Sequence, residues 1–158
     1  LTVLFLRHGL PAAGMAGART SAPAPDGGAY GVFTPAVPVS RSPLESARVA
    51  GLRQDDAVRS NLALVHLRDD PAPIAPVLDV FDGDTGQLVD SSTPVLLGPG
   101  QWFQANQLLA PLGIRNGWVR VRKTEGSARF LAYGVVNDGT PDRPGTNDGS
   151  FIPMDPER

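Results

Sequence analysis

A chain of 158 residues can form one domain with a buried core, and its net charge of −2 gives no reason to expect nucleic-acid or anionic-membrane binding. The absence of cysteine excludes a disulfide scaffold and a cysteine-ligated metal. No apolar run approaches the roughly 18–20 residues of a membrane-spanning helix.

Short strands are the elements that the sequence predicts along most of the chain. Apolar or alternating runs bounded by Gly, Pro, Asp and Asn predict strands at 1–6, 11–20, 29–39, 46–53, 60–68, 77–81, 87–90, 95–97, 118–123 and 128–137. Segment 60–68 is apolar on both sides and is the best central strand. The prolines of 29–39 favour an edge strand or linker there. Asp82 to Gly86 forms the predicted turn of a hairpin.

One short helix is predicted over 101–112, with a partial apolar stripe from Phe103 to Leu112. Gly113 can end it. Strands spaced by about 8–12 residues, without long helices between them, predict an all-β fold, an antiparallel β-sandwich.

The end of the chain resembles its own beginning. Shifts of 117 or 118 positions superpose residues of 126–156 on residues of 9–38; the matches include Gly126 on Gly9, Gly134 on Gly17, Gly149 on Gly31, Phe151 on Phe33 and Pro153 on Pro35. Such self-similarity predicts a repeat array. Residues 1–40 would then close a preceding unit, and 41–158 would be a β-sandwich unit. The alternative is that 1–40 supplies N-terminal strands of the same sandwich.

Six segments carry a resemblance; they are YGVFTPAVP at 30–38, RSNLALV at 59–65, GPGQWFQAN at 98–106, GWVRV at 117–121, YGVVND at 133–138 and DGSFIPM at 148–154. Together they resemble bacterial exported β-sandwich repeat modules with immunoglobulin-like or related folds. The resemblance implies an extracellular or cell-surface location and tandem neighbours. It carries no catalytic signature.

A second resemblance rests on LFLRHG at 4–9, which is similar to the opening of the histidine phosphatase superfamily. It implies that His8 accepts a phosphoryl group and that Arg7 binds phosphate. The other histidine, His66, falls inside a predicted strand. The internal repeat instead places residues 7–9 on a hairpin turn, which is the favoured interpretation.

Acidic residues crowd the hairpin at 79–90. Asp82 and Asp84 have the Asp-x-Asp-x-Gly spacing that can begin a Ca²⁺ loop, but no Glu closes that loop at the twelfth position. A tight turn is the alternative, because Asp and Gly both suit one. A second oxygen-rich loop allows the same choice between Asx-turns and weak cation or sugar binding; it holds Asn137, Asp138, Asp142, Asn147 and Asp148.

The aromatic residues allow two interpretations, core packing or a sugar-stacking platform; they are Trp102, Phe103, Trp118 and Tyr133. Trp118 shares a strand face with Arg120 and Arg122, so these three residues are the predicted ligand-binding site.

The sequence therefore predicts a non-catalytic extracellular repeat module that acts as a spacer, adhesion or binding segment. The alternatives are a carbohydrate- or Ca²⁺-binding accessory module and a phosphatase-like enzyme that uses His8. Expected partners are neighbouring repeat units and surface glycans or proteins. No cofactor, nucleic acid or membrane insertion is expected.

Overall fold

The computed structural model describes residues 6–11, 13–24, 27–140, 142–143 and 145–157. In this part of the chain the strands are β1 (Leu6–Arg7), β2 (Leu10–Pro11), β3 (Gly17–Pro23), β4 (Ala29–Pro35), β5 (Ser46–Arg53), β6 (Val58–His66), β7 (Pro76–Asp82), β8 (Leu88–Ser91), β9 (Trp102–Ala105), β10 (Asn116–Lys123), β11 (Phe130–Asp138), β12 (Gly149–Pro153) and β13 (Asp155–Pro156). Two 3₁₀ helices span Val39–Arg41 and Ala110–Leu112. No helix among the described residues has the length and apolar character to cross a membrane.

Two larger sheets pack together, so the prediction of an all-β sandwich is confirmed. One has five strands in the order β13-β5-β10-β7-β8, and the other has six in the order β3-β4-β12-β11-β6-β9. Apart from the parallel pair of β4 and β12, the neighbours within both sheets are antiparallel. Strands β1 and β2 form a separate small hairpin.

The core lies between these sheets and follows the alternation of their strands. In β10, Val119 and Val121 are fully buried, as the alternation predicts. In β6, Leu62, Ala63 and Leu64 are all buried, as expected for a central strand. A Cβ on Gly134 of β11 would lie 2.8 Å from Leu52 Cδ2 of β5, so this glycine lets the two sheets approach closely.

Residues 101–112, predicted as one helix, form a strand and a 3₁₀ turn instead. Strand β9 pairs with β6, and Phe103 packs against the core beside it. The chain then turns at Gln107, which has a positive φ of 49°. The apolar residues of 101–112 are spaced like a helical stripe because an edge strand and a turn both contribute side chains to one core. Gly113 does cap the 3₁₀ helix, with a φ of 68°.

Two other predicted strands differ from the structure. Within the predicted strand 11–20, residues 13–16 lie between β2 and β3 and belong to no strand. The segment 95–97 contributes only a single bridge, between Leu97 and Ile74. The predicted strand 1–6 falls mostly on residues outside the described ranges.

The hairpin of β3 and β4 extends the six-stranded sheet at one edge. Val32 of β4 lies opposite Gly149 of β12, and the Gly31 N–H donates a hydrogen bond to Asp148 Oδ1 at 3.0 Å. Most of this hairpin is exposed. The domain boundary at residue 40 remains a prediction.

Candidate functional site

The three predicted ligand-binding residues project from the outer face of β10, the central strand of the five-stranded sheet. Val119 and Val121 point into the core, so the residues that alternate with them face outward; these are Trp118, Arg120 and Arg122. The strand is flanked by β5 on one side and β7 on the other. Both neighbours place side chains against the predicted site.

Both faces of the Trp118 indole are covered. The Phe81 ring of β7 stacks on it with centroids 3.8 Å apart and planes 2° apart. The Arg48 guanidinium of β5 lies 4.9 Å from the indole centroid. Because β5 and β7 lie on opposite sides of β10, these groups occupy opposite faces of the ring. We refer to Arg48, Trp118 and Phe81 as the Trp118 stack.

A buried carboxylate forms ion pairs with both arginines of β10. Asp79 of β7 is only 3% exposed. Its Oδ2 accepts hydrogen bonds from Arg120 Nε at 3.2 Å, Arg120 Nη2 at 2.9 Å and Arg122 Nε at 3.1 Å. Its Oδ1 accepts from Ser91 Oγ at 2.8 Å and Arg122 Nη2 at 3.3 Å. We refer to Asp79, Ser91, Arg120 and Arg122 as the Asp79 cluster.

The Asp79 cluster holds its carboxylate in the charged form. Burial by itself raises the pKa of Asp79, but hydrogen bonds from Arg122, Ser91 and Arg120 outweigh it and lower the pKa to about 2. Asp79 in turn raises the pKa of Arg122. The two groups therefore remain an ion pair at neutral pH.

The aromatic and charged groups of the predicted site are consequently paired with residues of the same sheet. Arg48 donates to Glu157 Oε1 at 2.9 Å, so its charge is also compensated. A sugar-stacking site needs an exposed aromatic face, and an anion site needs cations that are not already paired. The Trp118 stack and the Asp79 cluster instead tie β5, β10, β7 and β8 together across the sheet.

The two predicted metal ligands lie at the end of β7 (Asp82) and in the turn that follows it (Asp84). Asp82 Oδ1 accepts hydrogen bonds from the backbone N–H groups of Asp84 at 2.8 Å and Thr85 at 2.9 Å. These bonds lower the pKa of Asp82, with that from Thr85 the larger cause. Asn116 Nδ2 donates to Asp84 Oδ1 at 3.2 Å. Within the described residues, no group of three or more His, Asp or Glu could hold a metal ion.

The second oxygen-rich loop, between β11 and β12, is closed by its own hydrogen bonds. Asp138 Oδ2 accepts from Thr146 N at 2.8 Å and from Thr146 Oγ1 at 2.7 Å. Arg59 donates to the Gly139 carbonyl and to Asn147 Oδ1. These oxygens stabilise the loop, as Asx-turns would.

The two histidines lie in different settings. His8 and Gly9 form the two-residue turn between β1 and β2, both with positive φ. The chain thus continues from this motif into a strand. His66 is buried; its Nδ1 accepts from the Arg68 N–H at 3.0 Å, and its Nε2 lies 2.9 Å from the Ala72 carbonyl. Both ring nitrogens of His66 therefore hold the loop that follows β6.

A different set of aromatic residues lies on the outer face of the six-stranded sheet, where Trp102 is exposed and Tyr133 and Phe151 are half-buried. Trp102 of β9 is 55% exposed, and its Nε1–H donates to the Tyr133 hydroxyl of β11 at 3.2 Å. The Tyr133 ring stacks with Phe151 of β12 at a centroid distance of 5.4 Å. We refer to these three residues as the aromatic strip. The sequence already allowed Trp102 and Tyr133 as stacking residues, but Phe151 was missed.

Comparisons of the chain with protein families, with curated proteins and with solved structures found no match.

Proposed function

We propose that the chain is a non-catalytic, immunoglobulin-like β-sandwich repeat module of a larger extracellular or cell-surface bacterial protein. In that protein it acts as a spacer, adhesion or binding segment beside neighbouring repeat units.

The observation that carries this proposal is that a pair of strands at corresponding positions of the two copies forms an antiparallel hairpin in each copy. Strands β3 and β4 form an antiparallel hairpin, and so do β11 and β12. The second strand of each has the pattern Gly-x-Phe-x-Pro, at 31–35 and at 149–153, an offset of 149 − 31 = 118 residues. Matching sequence in matching elements is what duplication of one unit produces.

The chemistry of the molecule supports a binding or structural role. Both oxygen-rich loops use their carboxylates for turns, and His66 uses both ring nitrogens for backbone contacts. A spacer needs stable sheets whose polar groups are hydrogen-bonded, and the Asp79 cluster supplies such a connection across three strands, β7, β8 and β10.

Removal of residues 1–40 tests this division of the chain. A repeat unit that loses its neighbour loses interface contacts only, so 41–158 should unfold in one sharp thermal transition. The full chain measured in parallel is the control. An aggregated product, or one without cooperative unfolding, would show that 1–40 completes the sandwich and would contradict the proposed repeat boundary.

A further inference from the structure

We propose that the aromatic strip is a binding site for a neutral polysaccharide, with Trp102 as its principal contact. This inference is independent of whether the chain is one of several repeat units, because it rests on the outer face of a single sheet.

The three rings of the strip share that face by strand alternation. Phe103, Ala132 and Ile152 each contribute to the core, so their neighbours Trp102, Tyr133 and Phe151 point outward. The strip crosses β9, β6, β11 and β12. Three interstrand spacings make it roughly 14 Å long, enough for more than one sugar ring of a chain.

The small residue Ala63 makes the strip flat. It lies in β6, opposite Gln104 of β9 and Tyr133 of β11, on the outward side. Despite that position it is only 1% exposed, so neighbouring side chains lie over it. The hydrogen bond between Trp102 and Tyr133 fixes the indole in place. An exposed fraction near one half fits a ring with one face on the sheet and the other in water.

The polar groups beside the strip are amides. Gln104 Nε2 donates to Asn106 Oδ1, and Asn61 Nδ2 donates to Asn137 Oδ1 at 3.3 Å. An amide side chain has several donor and acceptor positions, so these groups can also bond sugar hydroxyls. Arg59 is the only charged residue at the outward positions of β6, β9, β11 and β12, and it is bound to the loop after β11.

The aromatic rings and the near absence of charge determine which class of ligand fits the strip. The negative π face of an aromatic ring attracts weakly positive C–H groups, which a pyranose presents on its flat sides. Single-stranded nucleic acid needs a cationic groove along its backbone, which this face does not offer. A proline-rich peptide docks in an aromatic-lined groove, whereas this strip is flat. The Trp102 N–H is not free to donate to such a peptide, because it is already bonded to Tyr133. A neutral glycan with a continuous apolar side fits the strip best.

Affinity electrophoresis of the full chain tests the proposal. Gels containing hydroxyethylcellulose, xylan, glucomannan or mixed-linkage β-glucan should retard the protein in at least one case. Trp102→Ala should weaken that binding at least roughly tenfold, because the main stacking surface is lost. Tyr133→Phe keeps its ring but frees the indole, so it should weaken binding roughly twofold to fivefold.

Phe33→Ala is the matched control, because Phe33 is 59% exposed and lies on β4, outside the strip. It should bind as the wild type does, and all variants should unfold in one cooperative transition within about 4 °C of the wild type. The proposal is overturned if none of the four polysaccharides retards the protein, or if Trp102→Ala binds unchanged. Equal loss in Phe33→Ala, or a self-association that Trp102→Ala abolishes, would also overturn it.

Discussion

The two outer faces of the sandwich carry one tryptophan each, and the two side chains are placed very differently. Trp118 lies between Phe81 and Arg48, whereas Trp102 is 55% exposed. The difference follows from strand position. Strand β10 has neighbours on both sides, so both faces of its tryptophan are covered; β9 is an edge strand with a neighbour on one side only. A tryptophan in the middle of a sheet joins strands, and one at an edge can remain available for a ligand.

The largest expected effect comes from removing the carboxylate that closes the five-stranded face. Asp79→Ala leaves Arg120, Arg122 and Ser91 without their shared acceptor, and the free energy of unfolding should fall by about 3 kcal/mol. The two arginines are partly exposed, so water limits the loss. Urea denaturation measures it. Asp90→Ala, at an exposed position of the same hairpin, should change stability by less than about 0.5 kcal/mol. Equal effects would mean that the Asp79 cluster does not brace the sheet.

Acid should lower the stability that the Asp79 cluster gives the fold. The folded-state pKa of Asp79 is about 2, below its ordinary 3.8. A depressed carboxyl pKa stabilises the fold above the unfolded-state value, and that stability is lost as the pH falls through the folded-state value. The loss between about pH 4 and about pH 2 should be about 2 kcal/mol. Asp79→Asn should lack this part of the pH dependence. Parallel pH profiles of the two proteins would refute the assignment.

A smaller loss is expected from opening the Trp118 stack. Trp118→Ala removes the contacts with Phe81 and Arg48, and should lower the free energy of unfolding by about 1.5 to 2 kcal/mol. Trp102→Ala should lower it by a smaller amount, about 1 kcal/mol, because the bond to Tyr133 and the contacts of only one indole face are lost. Chemical denaturation of both variants makes the comparison, and a larger loss for Trp102→Ala would reverse the roles assigned to the two faces.

No stabilisation by calcium is expected at the turn that follows β7. Asp82 already accepts two backbone N–H groups, so millimolar Ca²⁺ should leave the melting temperature unchanged. A site filled at 100 times its Kd would add about 2.7 kcal/mol. A calcium-dependent rise that Asp84→Ala removes would establish a metal site there.

Local pattern was sufficient to predict much of this fold. The strand predicted at 46–53 matches β5 in both bounds, and the alternation of 118–123 separated the buried valines from the outward residues. The predicted helix failed because Phe103 and Leu109 reach one core from two different elements. A hydrophobic period does not distinguish that arrangement from a helical stripe.

The candidate site depended on contacts that no local pattern contains. Arg48 lies 118 − 48 = 70 residues before Trp118 in the sequence, and β5 becomes its neighbour only through the strand order. The same order puts Asp79 opposite Arg120. Trp102 is exposed because 102–105 forms an edge strand, whereas the sequence predicted a helix there. The alternation of outward Trp102 with inward Phe103 was the available signal.

Collisional quenching of tryptophan fluorescence tests most directly the claim that one face is closed and the other open. The chain has two tryptophans, so Trp118→Phe reports on Trp102 alone and Trp102→Phe reports on Trp118 alone. Acrylamide should quench the protein that retains Trp102 several times more strongly than the protein that retains Trp118. Equal quenching, or stronger quenching of Trp118, would contradict the account.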